Sequence, residues 1–337
     1  MPADPKAQAS FEATLRGLIQ RQRTKPTPLP SGLSITGQTA IVTGSNVGLG
    51  LEASRQLLTK GLSRLVMGVR SQARGDTAAA KLREEFPDSE VSVWILDMES
   101  YDSVRDFAGR CGSLPRIDVV ILNAGLITPT YQAAAATGHE TTLQVNYLST
   151  VLLALLLVPV LKAKRAAGAP RPPVLTVVGS GGAYNATMEM DGGILEQMDN
   201  AKGYGPFPAY ARSKMLLTVF VGKLAELVDP SDVLINTSNP GMTDGTSFAS
   251  DGDVILRWIF RVIHFFLARS PEVGASLYLD ATLVRGPESH GKLLSDWTIK
   301  PFPELWYTEE GQRFADRLVK ETMEELEPVG ASLPQGA

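Results

Sequence analysis

Cysteine and histidine are scarce in this chain. Cys111 is the single cysteine, and the three histidines are His139, His264 and His290. One cysteine excludes an internal disulfide framework and a metal site built from cysteines. The histidines have none of the spacings typical of metal ligands, so we expect each on the surface or in an ordinary hydrogen bond. The sequence therefore predicts no metal site.

Basic residues are not in excess. The chain has 32 Lys and Arg against 36 Asp and Glu, which gives a formal net charge of −4. Nucleic-acid-binding domains usually carry a basic face, so this balance argues against nucleic acid as a partner. The expected partner is a small-molecule substrate, and the sequence leaves a homo-oligomer open.

Long apolar runs are also missing. A transmembrane helix needs about twenty consecutive apolar residues, whereas residues 151–161 give only eleven without a charge. We therefore expect no transmembrane segment and interpret residues 145–161 as a buried crossover helix. Residues 1–30 lack the apolar core of a signal peptide, and Asp4 and Glu12 argue against a transit peptide. A cytoplasmic protein is expected.

What the chain does have is a glycine-rich stretch after an apolar strand, TAIVTGSNVGLG at residues 39–50. A strand, a glycine turn and a helix start bring backbone N–H groups and the positive end of a helix dipole to a bound phosphate. Glycines are needed because side chains would block the approach of a pyrophosphate. The stretch predicts a dinucleotide site, and a tight turn without a ligand is the alternative.

Apolar strands alternate with helical segments through the rest of the chain. The predicted strands are residues 40–42, 65–67, 91–96, 119–122, 174–178 and 233–237, and the predicted helices are residues 49–60, 73–86, 103–110, 145–161 and 210–227. This alternation predicts an α/β fold, with a single Rossmann-like, doubly wound parallel sheet and helices on both faces.

We predict one such domain at residues 34–328. Residues 1–33 form an N-terminal extension that either lies on the domain or is loose. Residues 329–337 form a loose C-terminal tail.

Tyr210 and Lys214 are four residues apart, so one face of the predicted helix presents both. A phenol has a pKa of about 10, and an adjacent ammonium group favours its ionised form. The pair could therefore transfer protons near neutral pH, or it could be an ordinary helix-surface contact.

Two polar residues lie at positions where either a functional or a structural role fits. Ser180 follows the fifth strand, at the edge where parallel sheets bind ligands, and could hold a substrate carbonyl. It could equally end the strand in a Gly-Ser turn. Asn146, at the head of the apolar helix, is either a capping or interhelical amide or the holder of a water behind Lys214.

Taken together, these residues resemble the short-chain dehydrogenase/reductase family over residues 34–328. The motifs that carry the resemblance are TGSNVGLG (43–50), Asp97, LNAG (122–125), Asn146, Ser180, YARSK (210–214) and NPG (239–241). The segment 271–327, with SHGKLLSDW, is similar to retinol-dehydrogenase-like enzymes of fungal secondary metabolism.

The resemblance implies the catalytic set Ser180, Tyr210, Lys214 and Asn146. Tyr210 would be the acid/base and Ser180 the carbonyl anchor. Lys214 would lower the tyrosine pKa and bind the ribose, and Asn146 would hold a relay water. The cofactor-binding residues would be Gly44, Ser45, Asn46, Gly48, Leu49, Gly50, Arg70, Asp97, Met98, Asn123, Ala124, Gly125, Tyr210, Lys214, Pro240, Gly241 and Thr243.

Two positions depart from the family pattern. Gly179 precedes Ser180, where the family usually has a serine or another small hydroxyl residue. After the PG pair, Asp244 and Gly245 occupy part of the stretch where a hydroxyl residue reaches the pyrophosphate, so either Thr243 or Thr246 supplies that contact or the contact is missing.

The cofactor is predicted from the end of the second strand, Gly68-Val69-Arg70. A carboxylate there would accept hydrogen bonds from the ribose of NAD and repel a 2′-phosphate. None is present, and Arg70 could pair with the phosphate in a bidentate manner, or it could be a solvated charge. NADP is therefore favoured over NAD.

Residues 254–268, VILRWIFRVIHFFLA, predict a helix that is apolar nearly all round, with Arg257, Arg261 and His264 on one narrow stripe. Three kinds of covering are possible for this helix. The first is the domain body together with a hydrophobic substrate, the second is another subunit, and the third is a membrane surface. We favour a lid and wall over the nicotinamide pocket, which implies a bulky, largely apolar ketone.

The predicted function is an NADP-dependent oxidoreductase that interconverts a ketone and a secondary alcohol. The alternative keeps the fold for a non-redox step or a cofactor-binding regulator.

Overall fold

The computed structural model describes residues 4–244 and 267–334. An eight-stranded sheet with the strand order β3-β2-β1-β4-β5-β6-β7-β8 forms its centre. The strands are β1 (Thr39–Thr43), β2 (Arg64–Val69), β3 (Glu90–Ile95), β4 (Val119–Leu122), β5 (Val174–Val178), β6 (Leu234–Asn239), β7 (Leu293–Ser295) and β8 (Thr298–Lys300). Strands β1 to β7 pair in parallel, and β8 is antiparallel to β7.

The helices of the described residues cover both faces of this sheet. They are α1 (Pro5–Glu12), α2 (Leu15–Arg23), α3 (Gly48–Thr59), α4 (Gln72–Glu85), α5 (Tyr101–Cys111), α6 (Thr141–Ala163), α7 (Ile194–Met198), α8 (Pro206–Ala225), α9 (Pro271–Leu279) and α10 (Glu309–Leu326). One apolar core lies between the sheet and α5, α6, α8 and α10, and the other lies between the sheet and α3, α4 and α9.

The order of the strands places the ligand crevice. Strand β1 pairs with both β2 and β4, so successive strands are added in opposite directions on its two sides. In open α/β sheets, ligands bind outside the carboxyl ends of the strands at such a switch point. All residues of β1, β4, β5 and β6 are buried, as parallel strands covered on both faces require. The predicted α/β fold is confirmed.

Helix α6 is the one helix of the described residues that is long and apolar enough to cross a membrane. Of its most apolar window, 83% is buried inside the protein, where it packs beside α5 and α8. A helix that is apolar all round is expected when neighbouring elements cover it on every side. The structure thus contains the buried crossover helix that residues 145–161 predict.

The sequence patterns do not predict β7, β8 or α10. The two residues that connect β7 to β8, Asp296 and Trp297, have positive φ angles of 49° and 59°. Such two-residue turns are recognised in sequences by Asn-Gly or Asp-Gly pairs. An Asp-Trp pair carries no such signal, so the hairpin could not be predicted from its turn.

The two ends of the described chain pack against the domain. Helices α1 and α2 bury Ala9, Glu12 and Arg21, so the extension lies on the domain. At the other end Ala331 is buried and Leu333 contacts the main core, so the described part of the tail predicted to be loose is packed.

Two predictions are left as they stand. The helix predicted at residues 254–268 lies outside the described residues except for its last two positions. The division of the chain at residues 33 and 328 also stays a prediction.

Candidate active site

The turn between β1 and α3 depends on its glycines for two different reasons. Gly44 and Gly48 have positive φ angles of 64° and 60°, which residues with a Cβ rarely adopt. Gly50 is needed for space, because a Cβ there would lie 2.5 Å from Nδ2 of Asn123 and 2.5 Å from the carbonyl oxygen of Gly44. The turn can therefore approach β4 only with glycine at residue 50.

The start of α3 is open at the ligand-binding edge of the sheet. Its N-cap, Val47, is 66% exposed and makes no side-chain capping bond to the helix. The first N–H groups of a helix have no partner within it and favour an anion. The Ser45 side chain is fully buried, and its hydroxyl donates to the carbonyl oxygen of Val42 at 2.9 Å, which stabilises the turn itself.

Asn123, at the end of β4, connects this strand to the glycine turn. Its amide nitrogen donates to the carbonyl oxygens of Thr43 (3.0 Å) and Gly44 (3.3 Å). The N–H of Ala124 donates to Oγ1 of Thr43 at 3.0 Å. Tyr278, from α9 on the far side of the turn, donates its hydroxyl to Oδ1 of Asn123 at 3.2 Å. Tyr278 lies in an apolar helix with no motif around it, so its hydrogen bond to Asn123 could not be predicted from the sequence.

Asn146 lies in a π-helical stretch of α6, Gln144–Leu148, and is fully buried. Its Oδ1 accepts from the N–H of Leu126, and its Nδ2 donates to the carbonyl oxygen of Leu126, both at 2.8 Å. Nδ2 also donates to Oγ of Ser213 in α8 at 3.1 Å. The side chain is thus an interhelical amide that fixes the loop after β4, and its role with a relay water stays a prediction.

Ser180, Tyr210 and Lys214 come together beyond the carboxyl end of β5. Nζ of Lys214 donates to the carbonyl oxygen of Val178 at 2.8 Å and lies 5.9 Å from the centre of the Tyr210 ring. The Ser180 side chain hydrogen-bonds Tyr210, and its Oγ accepts from the N–H of Gly182 at 3.1 Å. Gly179 lies directly against Thr237, and a Cβ at residue 179 would be 2.6 Å from its Cγ2. This contact explains why glycine stands before Ser180 here.

Burial is the main cause of the pKa shifts of Tyr210 and Lys214. Burial raises the pKa of Tyr210 above its usual value, and the hydrogen bond with Ser180 opposes that shift. Burial also lowers the pKa of the Lys214 ammonium to about 8. The Lys214 amine donates to the carbonyl oxygen of Val178, and its effect on the tyrosine pKa stays a prediction. Helical spacing places the two residues on one face but does not determine where the amine points.

At the end of β2, Arg70 pairs with a carboxylate, Glu99, that no sequence pattern indicated. Its guanidinium lies 2.7 Å from Glu99, and the arginine side chain is 64% exposed. The N–H of Glu99 donates to Oδ1 of Asp97 at 3.0 Å within the loop after β3, and the Arg70–Glu99 pair joins this loop to the end of β2. Met98 is buried, and its carbonyl oxygen accepts from Ser149. Glu99 follows β3, whereas the sequence pattern that predicts cofactor preference concerns the end of β2.

The segment after β6 lies beside the glycine turn. A Cβ on Gly274 of α9 would lie 2.7 Å from Oγ1 of Thr243 and 2.7 Å from a methyl group of Leu49. Thr243 is therefore next to the start of α3, as a pyrophosphate contact would require, and Thr246 lies outside the described residues. Gly241 has a φ of 74°, and a Cβ there would overlap the side chain of Gln22.

Comparisons with known proteins agree with this arrangement. Residues 38–169 match the family model for short chain dehydrogenases. Short chain dehydrogenase virL of Hypocrea virens is 55% identical over 332 residues, which are 98% of this chain and 97% of that protein.

Two solved structures share the fold at low sequence identity. NADPH-dependent 3-quinuclidinone reductase from Rhodotorula rubra has a TM-score of 0.59 and 21% identity, covering 81% of this chain and 97% of that one. The Pseudomonas aeruginosa RhlG/NADP active-site complex has a TM-score of 0.59 and 22% identity, covering 79% of this chain and 97% of that one.

Proposed function

This chain belongs to the short-chain dehydrogenase/reductase family and is an NAD(P)-dependent oxidoreductase; we propose that it uses NADP to interconvert a ketone and a secondary alcohol. One observation supports this reaction: Ser180, Tyr210 and Lys214 lie close together, beside the open start of α3 and the loop after β4. A proton donor, a second hydroxyl and a cation then surround one point at the edge of the sheet.

Each of these side chains has a separate task in the proposed reaction. Tyr210 donates a proton to the carbonyl oxygen during reduction and takes it back during oxidation. The Ser180 hydroxyl donates a hydrogen bond to the same oxygen, which stabilises the charge that develops on it. Lys214 binds the ribose, and the bound cofactor supplies or accepts the hydride. Asn146 and Asn123 fix the two loops between which this chemistry takes place.

NADP is preferred over NAD because of the charges near the end of β2. The Arg70–Glu99 pair is largely exposed, and pairs of this kind contribute only about 0–1 kcal/mol. A 2′-phosphate carries more charge than one carboxylate and can replace Glu99 as the partner of Arg70.

The substrate class is proposed from the sequence. The apolar pattern of residues 254–268 favours a bulky, largely apolar ketone, polyketide- or terpenoid-like. A role in secondary-metabolite biosynthesis in the cytoplasm is proposed with it, on the similarity of segment 271–327 to retinol-dehydrogenase-like enzymes.

The direct test follows NADPH absorbance with a panel of bulky and small ketones. We expect wild-type turnover and a loss of about a hundredfold or more in kcat for Tyr210→Phe, since positioned acid–base groups contribute this much. NADPH binding by the variant should stay close to that of wild type, because only one hydroxyl is removed.

Tyr307→Phe is the matched control, since its hydroxyl accepts from the N–H of Phe302 in the C-terminal part of the chain. Near-wild-type activity of Tyr210→Phe would overturn the assignment. Turnover without NADPH consumption would favour a non-redox reaction.

A further inference from the structure

The last turn of α2 lies between the two loops that border the proposed nicotinamide pocket. One loop begins directly after Ser180, and the other is the segment Pro240 to Thr243 after β6. Two consecutive residues of α2, Arg21 and Gln22, contact one loop each, and both are buried.

Gln22 contacts the segment after β6 with every polar atom of its side chain. Its Oε1 accepts from the N–H of Met242 at 3.0 Å. Its Nε2 donates to the carbonyl oxygens of Met242 (2.9 Å) and Leu267 (2.8 Å). Gly241 is the residue that makes room for this amide, since a Cβ there would overlap Oε1. One side chain from the N-terminal extension thus fixes the backbone that directly follows the proline-glycine pair.

Arg21 contacts the loop after Ser180. Its guanidinium lies 5.3 Å from the centre of the Tyr184 ring, and its Nη2 is 3.6 Å from the position of a Cβ on Gly181. Its backbone carbonyl oxygen accepts from the guanidinium of Arg269, which also donates to the carbonyl oxygen of Pro240 at 3.2 Å. The same residue therefore contacts one loop with its side chain and the other through Arg269.

A buried ion cluster (Glu12, Arg21, Arg269, Asp296 and Lys300) surrounds this turn. Glu12 pairs with Arg21 and, at 2.8 Å, with Lys300, and Lys300 pairs with Asp296 at 2.9 Å. Arg269 lies 3.9 Å from Asp296. Removing one member of a buried ion pair leaves an uncompensated charge, which is strongly destabilising. The cluster therefore ties α1 and α2 to the hairpin β7–β8.

We propose that Gln22 and Arg21 are positioning residues for the reaction: they set the separation between the Ser180 loop and the Pro240–Met242 segment. The inference rests on the proposed function, with Pro240 and Gly241 among the residues predicted to bind the cofactor. A correct separation places the nicotinamide ring and the Ser180 hydroxyl at the same carbonyl group. The N-terminal helices then belong to the catalytic unit.

Gln22→Glu is the decisive variant, because the new carboxylate would face two carbonyl oxygens that now accept hydrogen bonds. We expect the Kd for NADPH, measured by fluorescence titration, to rise about tenfold or more, since buried polar groups would be left unpaired. The kcat per active site should fall as well. Gln20→Ala, an exposed glutamine of the same helix, is the matched control and should behave as wild type.

A merely structural role would give a different result. It would lower the fraction of folded enzyme but leave the Kd and KM of the folded molecules unchanged. If Gln22→Glu fails to fold, Gln22→Met, which keeps the length without the charge, should show the same rise in Kd.

If the wild-type enzyme is active and Gln22→Glu has the Kd and kcat of wild type, the inference is overturned but the proposed function is not. A wild-type protein that neither binds NADPH nor reduces a ketone would overturn the proposed function together with it.

Discussion

The turn after β1 and the segment after β6 flank the same crevice but are fixed by different means. The first depends on glycines within itself and on one side chain, Asn123, about which the sequence is informative. The second depends on Gln22, which is 220 residues away in the chain. The glycines and Asn123 belong to short motifs, TGSNVGLG and LNAG, whereas no motif surrounds Gln22, so the sequence does not indicate what fixes the segment after β6.

Gly50→Ala should have the largest effect on the first region. The added methyl group would lie 2.5 Å from a backbone oxygen that cannot move without opening the turn. Overpacking of this kind costs about 1–3 kcal/mol, so we expect a lower Tm and at least a tenfold weaker NADPH binding.

Gly109→Ala is the control for this prediction, because a Cβ there meets no atom within 4 Å on α5. The control should be neutral or slightly stabilising, since alanine favours helices. If both glycines tolerate alanine equally, close packing against Asn123 is not what fixes the turn.

Arg70→Asp should have an intermediate effect, confined to cofactor choice. It would place a second carboxylate beside Glu99 and repel a 2′-phosphate, while a carboxylate at this position suits the ribose hydroxyls of NAD. We expect KM to rise for NADPH and to fall for NADH, with kcat little changed. Equal Michaelis constants in variant and wild type would show that the Arg70 side chain does not contact the cofactor.

Tyr278→Phe should have the smallest effect and tests whether the first region also depends on a distant residue. It removes the hydroxyl that donates to Asn123, at a cost of about 1 kcal/mol in stability. We expect a small fall in Tm together with a measurable rise in the Kd for NADPH.

Tyr131→Phe also loses one hydrogen bond, to the backbone of Asp199, and should lower the Tm without changing the Kd. A Kd that does not change in Tyr278→Phe would mean that the glycine turn needs no support from α9.

The same contrast explains which features the sequence could predict. Strands β1 to β6 and the four proposed catalytic residues follow from apolar runs and short motifs, which are local. Helices α1 and α2 bury charged and polar side chains, namely Glu12 of α1 and Arg21 and Gln22 of α2. Hydrophobic periodicity does not predict their burial, because it depends on partners at Met242, Arg269 and Lys300.

For a related reason, the sequence could not predict the direction in which the Lys214 amine points. Helical spacing determines the face of α8 on which it lies, but the acceptor is the carbonyl oxygen of Val178 in β5. Only the packing of α8 against the sheet determines that partner.

The measurement that tests the central claim most directly follows the hydride itself. The wild-type protein is incubated with a bulky ketone and NADPH that carries deuterium at the transferred position, and the product is analysed by mass spectrometry. We predict an alcohol that has gained one deuterium at the carbinol carbon and one exchangeable proton at oxygen. A product formed without deuterium, or formed equally well without the cofactor, would contradict the account.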